Sequence, residues 1–168
     1  MILDKEILDG FTEETSLLLK EAINIIEAIE DTKDEVPKKL IEDFANRMDR
    51  IMGTVRTFEE MAPNSKSFPM IGKFCELCKA TGYKAATLNR PQLIPIFAAF
   101  WADTVEMVET LCANVGDEDK AQKAIQDFAP ALQKRLTWLA EQIVKLTKDA
   151  PDTSAINVDG ILKRMGLL

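Results

Sequence analysis

The chain has 168 residues, of which 46% are hydrophobic and 29% are charged, and this size supports one domain with a sizeable core. It contains no histidine. That absence excludes Ser-His-Asp and Cys-His nucleophilic sites, most zinc sites and phosphate transfer through histidine.

The formal net charge of −7 is concentrated at the start of the sequence. Residues 1–50 contain 14 acidic and 7 basic residues, whereas residues 51–168 contain 14 of each. Such a surface repels phosphate backbones and anionic lipids, so we expect neither nucleic acid nor a membrane as a partner. The opening MILDKEILDG does not resemble a secretory signal, and three cysteines do not suit a disulfide framework. We therefore expect a cytoplasmic protein.

Apolar residues recur at helical spacing through four successive segments. The stripes cover residues 7–29, 40–62 and 68–88, and a fourth runs from about 91 to 112 with Pro95 in its first turn. A fifth helix is predicted at about 118–148, where Pro130 is expected to kink or split it. No stretch alternates apolar and polar residues as a strand does, so the pattern predicts an all-α fold.

The end of the sequence differs from the helices before it. Residues 149–157 form a polar linker that contains Pro151, and residues 158–168 form a short amphipathic tail. The predicted organisation is therefore a helical bundle over 1–148, a linker and a tail. Trp101 and Trp138 are large apolar residues, and we expect both to be buried.

The pattern Cys75-x-x-Cys78 invites comparison with metal and redox sites. A structural zinc site needs about four ligands, and only Cys112 is available to add to this pair. A thioredoxin-type site needs a βαβ unit, which the periodicity does not predict. We therefore interpret the cysteines as small core residues and predict no metal site.

Opposite the apolar stripe of the second helix lies a polar line formed by Glu42, Asn46, Asp49, Gly53 and Arg56. These residues are spaced by four, three, four and three positions, which places them on one face of a helix. A solvated helix surface explains most such lines. Gly53 is unusual there because glycine costs about 1 kcal/mol relative to alanine in a helix interior. It suggests that another molecule approaches the backbone closely.

The segment 48–54, MDRIMGT, resembles the central helix of histidine phosphotransfer (HPt) domains. Aligned without gaps, Asp49 occupies the position of the phospho-accepting histidine, Met52 that of the lysine, and Gly53 matches the glycine. The similarity extends over about residues 1–115. It implies an antiparallel four-helix-bundle core, with the fifth helix and the tail as additions. It also implies a domain that docks a receiver without relaying phosphate.

The segment 158–167, VDGILKRMGL, resembles the C-terminal receiver-binding peptide of CheZ-type chemotaxis phosphatases. The resemblance implies that the tail binds the same class of partner, a CheY-type response-regulator receiver domain. The expected contact residues are Val158, Asp159, Ile161, Leu162 and Met165. Lys163 and Arg164 depart from the more acidic family pattern. The alternative is that the tail packs on its own bundle or on a second copy.

CheZ-type enzymes use an amide side chain to position water and an acid one turn away to engage the regulator's lysine. By resemblance, Asn46 with Glu42 or Asp43 is the first candidate pair for such catalysis. Gln122 with Glu118 or Asp119 is the second. The protein would need no cofactor of its own, because Mg²⁺ is bound by the regulator.

Three functions remain open at this point. The first is a receiver-binding phosphatase in two-component or chemotaxis signalling. The second is a non-catalytic pseudo-HPt adaptor that uses Asp49, Gly53 and Arg56 only for binding. The third is a structural bundle that self-associates, for example as a homodimer, through its fifth helix and tail.

Overall fold

The described residues of the computed structural model, 4–148 and 156–167, form six α-helices and no β-strand. In chain order the helices are α1 (Lys5–Asp31), α2 (Lys38–Met61), α3 (Ser67–Leu88), α4 (Ile94–Ala113), α5 (Glu118–Leu146) and α6 (Val158–Arg164). The predicted all-α fold class is confirmed. Most of the predicted linker, residues 149–155, lies outside the described ranges, as do residues 1–3 and 168.

Local sequence signals explain where several helices begin. The Asp4 carboxylate accepts a hydrogen bond from the Ile7 N–H at 2.9 Å and caps α1. Asp117 caps α5 in the same way, with its carboxylate 3.1 Å from the Lys120 nitrogen. A 3-10 turn at Pro91–Leu93 leads into α4, and Pro95 lies in the first turn of that helix as predicted.

The first four helices pack in a closed ring. Helix α1 contacts α2 and α4, and α3 contacts the same two helices from the other side. Helix α5 packs mainly on α4 and also touches α3, while α6 packs on α5. The core therefore lies between α1–α4, and one side of this ring is covered by α5 and α6.

Aromatic side chains fill the ring. Phe11, Phe58 and Phe68 join α1, α2 and α3, with ring centroids 4.9 to 5.5 Å apart. Trp101 is fully buried, and its indole N–H donates to the Thr81 hydroxyl at 2.9 Å. Because the only polar atom of this indole is paired, its burial carries no unmet hydrogen bond.

One expectation about α5 needs correction. Trp138 is 48% exposed, so the prediction that both tryptophans are buried holds for Trp101 alone. Trp138 directly precedes the buried Leu139, and neighbours on a helix point about 100° apart. Helix α5 continues through Pro130 without splitting. Pro130 and Gln126 are exposed, so water can satisfy the Gln126 carbonyl that the proline leaves unpaired.

Candidate functional site

The polar line on α2 is a solvent-facing ridge. Glu42, Asn46, Asp49, Gly53 and Arg56 are all exposed, and we call these five residues the α2 ridge. The 14 steps from Glu42 to Arg56 correspond to roughly 20 Å along the helix axis. The opposite side of α2 is buried in the core through Phe44, Met48, Ile51 and Val55. The apolar side therefore fixes the orientation of α2, and the ridge is presented outward as a result.

The carboxylate at the centre of the α2 ridge, Asp49, forms an ion pair. The Asp49 Oδ1 atom lies 2.9 Å from the ammonium nitrogen of Lys79 on α3. About half of each side chain is exposed, so solvent screens the pair. Sequence reasoning did not identify Lys79. Its exposed position on the helix that packs beside α2 was the available signal.

Charged contacts also flank the ridge on its α1 side and near its start. The Arg47 guanidinium lies 2.7 Å from the Glu21 carboxylate of α1. Asp43, the second candidate acid, lies 3.2 Å from Lys39 one turn earlier in α2. These contacts position the neighbours of the ridge while leaving the ridge accessible.

The candidate acid, Glu42, and the candidate amide, Asn46, have no polar partner among the described residues. Within residues 4–148 and 156–167, the side chains of Glu42 and Asn46 form no hydrogen bond or ion pair. They are four residues apart on one helix face, so they can contact the same partner surface. Asn46 can both donate and accept, as an amide that positions a water molecule must.

Gly53 faces open space. Apart from the adjoining residues and the backbone of α2 itself, no atom of the described residues lies within 4 Å of where a Cβ atom would stand. Gly10 of α1 is equally open. Packing among the described residues therefore gives no reason for glycine at position 53, and Gly10 provides a matched control position.

The second acid and amide pair is arranged differently. The Glu118 carboxylate accepts hydrogen bonds from the Ser65 hydroxyl at 2.8 Å, the Lys66 N–H at 3.0 Å and the Ser67 hydroxyl at 3.2 Å. It thus stabilises the start of α3, where a negative charge is favourable. Gln122 lines a separate groove between α3 and α5, and Asp119 is exposed in the first turn of α5.

The tail packs on its own chain. Leu162 and Met165, two of the predicted contact residues, are 1% and 4% exposed. Ile161 is half-buried and lies beside α3, whereas Val158 and Asp159 lie beside the end of α5. In this conformation the apolar side of the tail is covered by α3 and α5, which is the alternative that the sequence left open.

Both ends of α6 have specific caps. The Asn157 side chain accepts from the Gly160 N–H at 3.0 Å. At the other end, Gly166 has a φ of +73°, and the Leu167 N–H donates to the Leu162 carbonyl at 2.9 Å. This is a Schellman motif, which requires a left-handed residue that glycine adopts without strain. The capping explains why so short a helix ends at a glycine.

Burial governs the chemistry of the three cysteines. Cys75, Cys78 and Cys112 are free and buried, which confirms the interpretation as core residues. Loss of solvation raises the pKa of the Cys112 thiol to about 12 and that of Cys75 well above its ordinary value. These thiols therefore stay protonated and unreactive near neutral pH. In the described ranges, no group of three or more Cys, Asp or Glu residues is arranged to bind a metal ion.

Comparison with protein-family models, with curated proteins and with solved structures finds no match for this chain. Among the described helices, none combines the length and apolar character that crossing a membrane requires.

Proposed function

We propose that this protein binds the receiver domain of a CheY-type response regulator through the α2 ridge. The observation that carries the proposal is the exposed ridge itself, in which Glu42 and Asn46 have no internal partner and Gly53 is open. A receiver that approaches this face can come close to the α2 backbone at Gly53. Arg56 adds a positive charge at the far end of the same contact surface.

The ring of α1–α4 supports the resemblance to HPt domains. Each helix packs on the next in sequence, and α4 returns to α1, as in an antiparallel four-helix bundle. The connections between these helices are short, which favours antiparallel neighbours. In such a domain the ridge corresponds to the face that docks receivers, and Asp49 stands where the family carries its histidine.

We further propose that binding promotes hydrolysis of the regulator's aspartyl phosphate. Asn46 would orient a water molecule in line with the phosphorus, and Glu42 would engage the regulator's lysine. The water oxygen forms the new bond to phosphorus as the bond to the aspartyl oxygen breaks. The aspartate leaves with that electron pair, and the water's protons pass to phosphate and solvent. Mg²⁺ bound by the regulator offsets the developing negative charge.

The tail enters this proposal as a tethered second contact. Because Leu162 and Met165 are buried against the chain itself, the tail must leave this position before its apolar side can bind a receiver. Because the tail and the α2 ridge belong to one chain, a receiver bound to the tail is held at a high local concentration near the ridge. Removal of residues 158–168 is expected to weaken regulator binding; unchanged affinity would restrict the interface to the α2 ridge.

The decisive experiment follows phosphate release from a phosphorylated, Mg²⁺-loaded CheY-type regulator. The wild-type chain should accelerate release, and Asn46→Ala should abolish the acceleration without weakening regulator binding. Asn64→Ala, which truncates an exposed asparagine in the turn between α2 and α3, is the matched control and should behave as wild type. Acceleration that survives in Asn46→Ala but not in Gln122→Ala would move the site to α5.

One observation favours a non-catalytic adaptor as the second candidate function. Asp49 is about half exposed and can contact a partner, but the chain has no histidine that could accept and pass on phosphate. Saturable regulator binding without any acceleration of phosphate release would support this function. Absence of both binding and acceleration would contradict the receiver proposal altogether.

A further inference from the structure

A cavity of about 280 Å³ lies where the tail meets α3. We call it the junction cavity. One wall comes from α3, and the other comes from residues 156–165 at the end of the chain. Its size is near the lower end of the range for small-molecule sites, so it fits a small ligand.

Apolar and charged side chains both line the junction cavity. Leu77, Ile161 and Met165 contribute apolar surface, and Leu77 and Met165 are themselves buried. Four charged side chains also line the cavity; three are basic, Lys73, Lys84 and Arg164, and one is acidic, Glu76. An excess of positive charge is notable in a chain with a net charge of −7.

Two of these basic groups are available to a ligand. Within residues 4–148 and 156–167, Lys73 and Arg164 form no ion pair or side-chain hydrogen bond. Burial lowers the pKa of the third basic group, Lys84. An anion placed beside Lys84 would favour its charged form and raise that pKa again.

We propose that the junction cavity binds a small amphipathic anion, in which an apolar body carries one carboxylate or phosphate group. The apolar body would contact Leu77, Ile161 and Met165, and the anionic group would be bound by Lys73 and Arg164. These two cations belong to different segments, α3 and the tail. A bound ligand therefore bridges them and stabilises the tail on the bundle. The proposal does not rest on the receiver interaction; a ligand that stabilises the docked tail would oppose the release of the tail to a receiver.

Amide NMR spectroscopy of the full chain, titrated with octanoate, tests the site directly. Octanoate should cause saturable shifts in residues 73–84 and 156–165. Octan-1-ol supplies a similar apolar body without the charge, loses both cation contacts and should bind more weakly by about tenfold or more. Octyl phosphate tests the other head group and should shift the same residues.

Single substitutions that each remove one positive charge test which cations bind the ligand. Arg164→Gln and Lys73→Gln should each weaken octanoate binding about fivefold to tenfold, because each loses a charge-assisted contact. Lys163→Gln removes the same charge from the neighbouring tail residue, which does not line the cavity, and should leave the affinity unchanged. All three side chains are at least partly exposed, so these variants should fold normally.

The proposal fails if octanoate produces no saturable shifts in these two segments. It also fails if octan-1-ol binds as tightly as octanoate, since the charge then contributes nothing. An equal loss in Lys163→Gln would mean that only the overall charge of the tail matters, which likewise overturns the assigned site.

Discussion

Helix α2 and helix α6 present their amphipathic surfaces in opposite ways. The α2 ridge exposes polar side chains with no internal partner at Glu42 and Asn46. Helix α6 and its C-cap instead bury Leu162 and Met165 against the same chain, and the helix exposes Lys163 and Arg164. The first surface can accept a partner without any rearrangement, whereas the second must first give up an internal contact. A partner that uses both surfaces therefore gains less from the tail than its apolar residues alone suggest.

Of all the substitutions, Leu162→Asp should have the largest effect, because it releases the tail from its docked position. It replaces a buried apolar side chain by a carboxylate that cannot stay ionised in the same place. Burying one leucine is worth about 2 kcal/mol, which corresponds to a roughly 30-fold shift in the docking equilibrium of the tail. Hydrogen exchange should accelerate in residues 158–167. Lys163→Asp, one residue further along on the exposed side, should leave that exchange nearly unchanged.

The buried thiols report whether the opening caused by Leu162→Asp is local. Cys75, Cys78 and Cys112 should stay resistant to thiol reagents near neutral pH, because the tail can leave without opening the core. Rapid labelling of all three would show that the tail is integral to the bundle. Unchanged tail exchange would contradict the docked position.

Apolar periodicity predicted the helices well because each stripe had a single core to pack against. The stripe from Phe44 to Val55, for example, is buried throughout. The same periodicity does not reveal which surface an apolar stripe packs against. In the tail, the pattern predicted that Leu162 and Met165 would be buried, but it did not predict that they would pack beside α3 and α5. Spacing within one helix also could not reveal Lys79, because its pairing with Asp49 depends on how α3 lies beside α2.

Spacing along the sequence also could not distinguish the two acid and amide pairs. Both satisfied the helical spacing rule, but Glu118 is engaged by the start of α3 while Glu42 is not engaged by the described chain. Only the tertiary arrangement distinguishes an acid that stabilises a helix from one that can meet a partner.

Substitutions at Gly53 test whether a partner approaches the α2 ridge closely at this position. Gly53→Ala and Gly10→Ala should each stabilise folding by up to about 1 kcal/mol, because both positions are helical and open. The larger Gly53→Gln should weaken regulator binding, whereas Gly10→Gln should not. Denaturant unfolding and regulator titration measure the two effects separately. Equal binding by both glutamine variants would mean that no partner approaches α2 closely at Gly53.

The smallest effect is expected from the Asp49–Lys79 pair. Its side chains are 55% and 49% exposed, so a double-mutant cycle with Asp49→Asn and Lys79→Gln should give a coupling of about 0.5 kcal/mol or less. The coupling should shrink further at high salt, because solvent ions screen exposed charges. If the pair contributes mainly to binding, Asp49→Asn should change the salt dependence of regulator association more than it changes folding stability. A coupling well above 1 kcal/mol would instead assign Asp49 a role in joining α2 to α3, and would remove it from the binding surface.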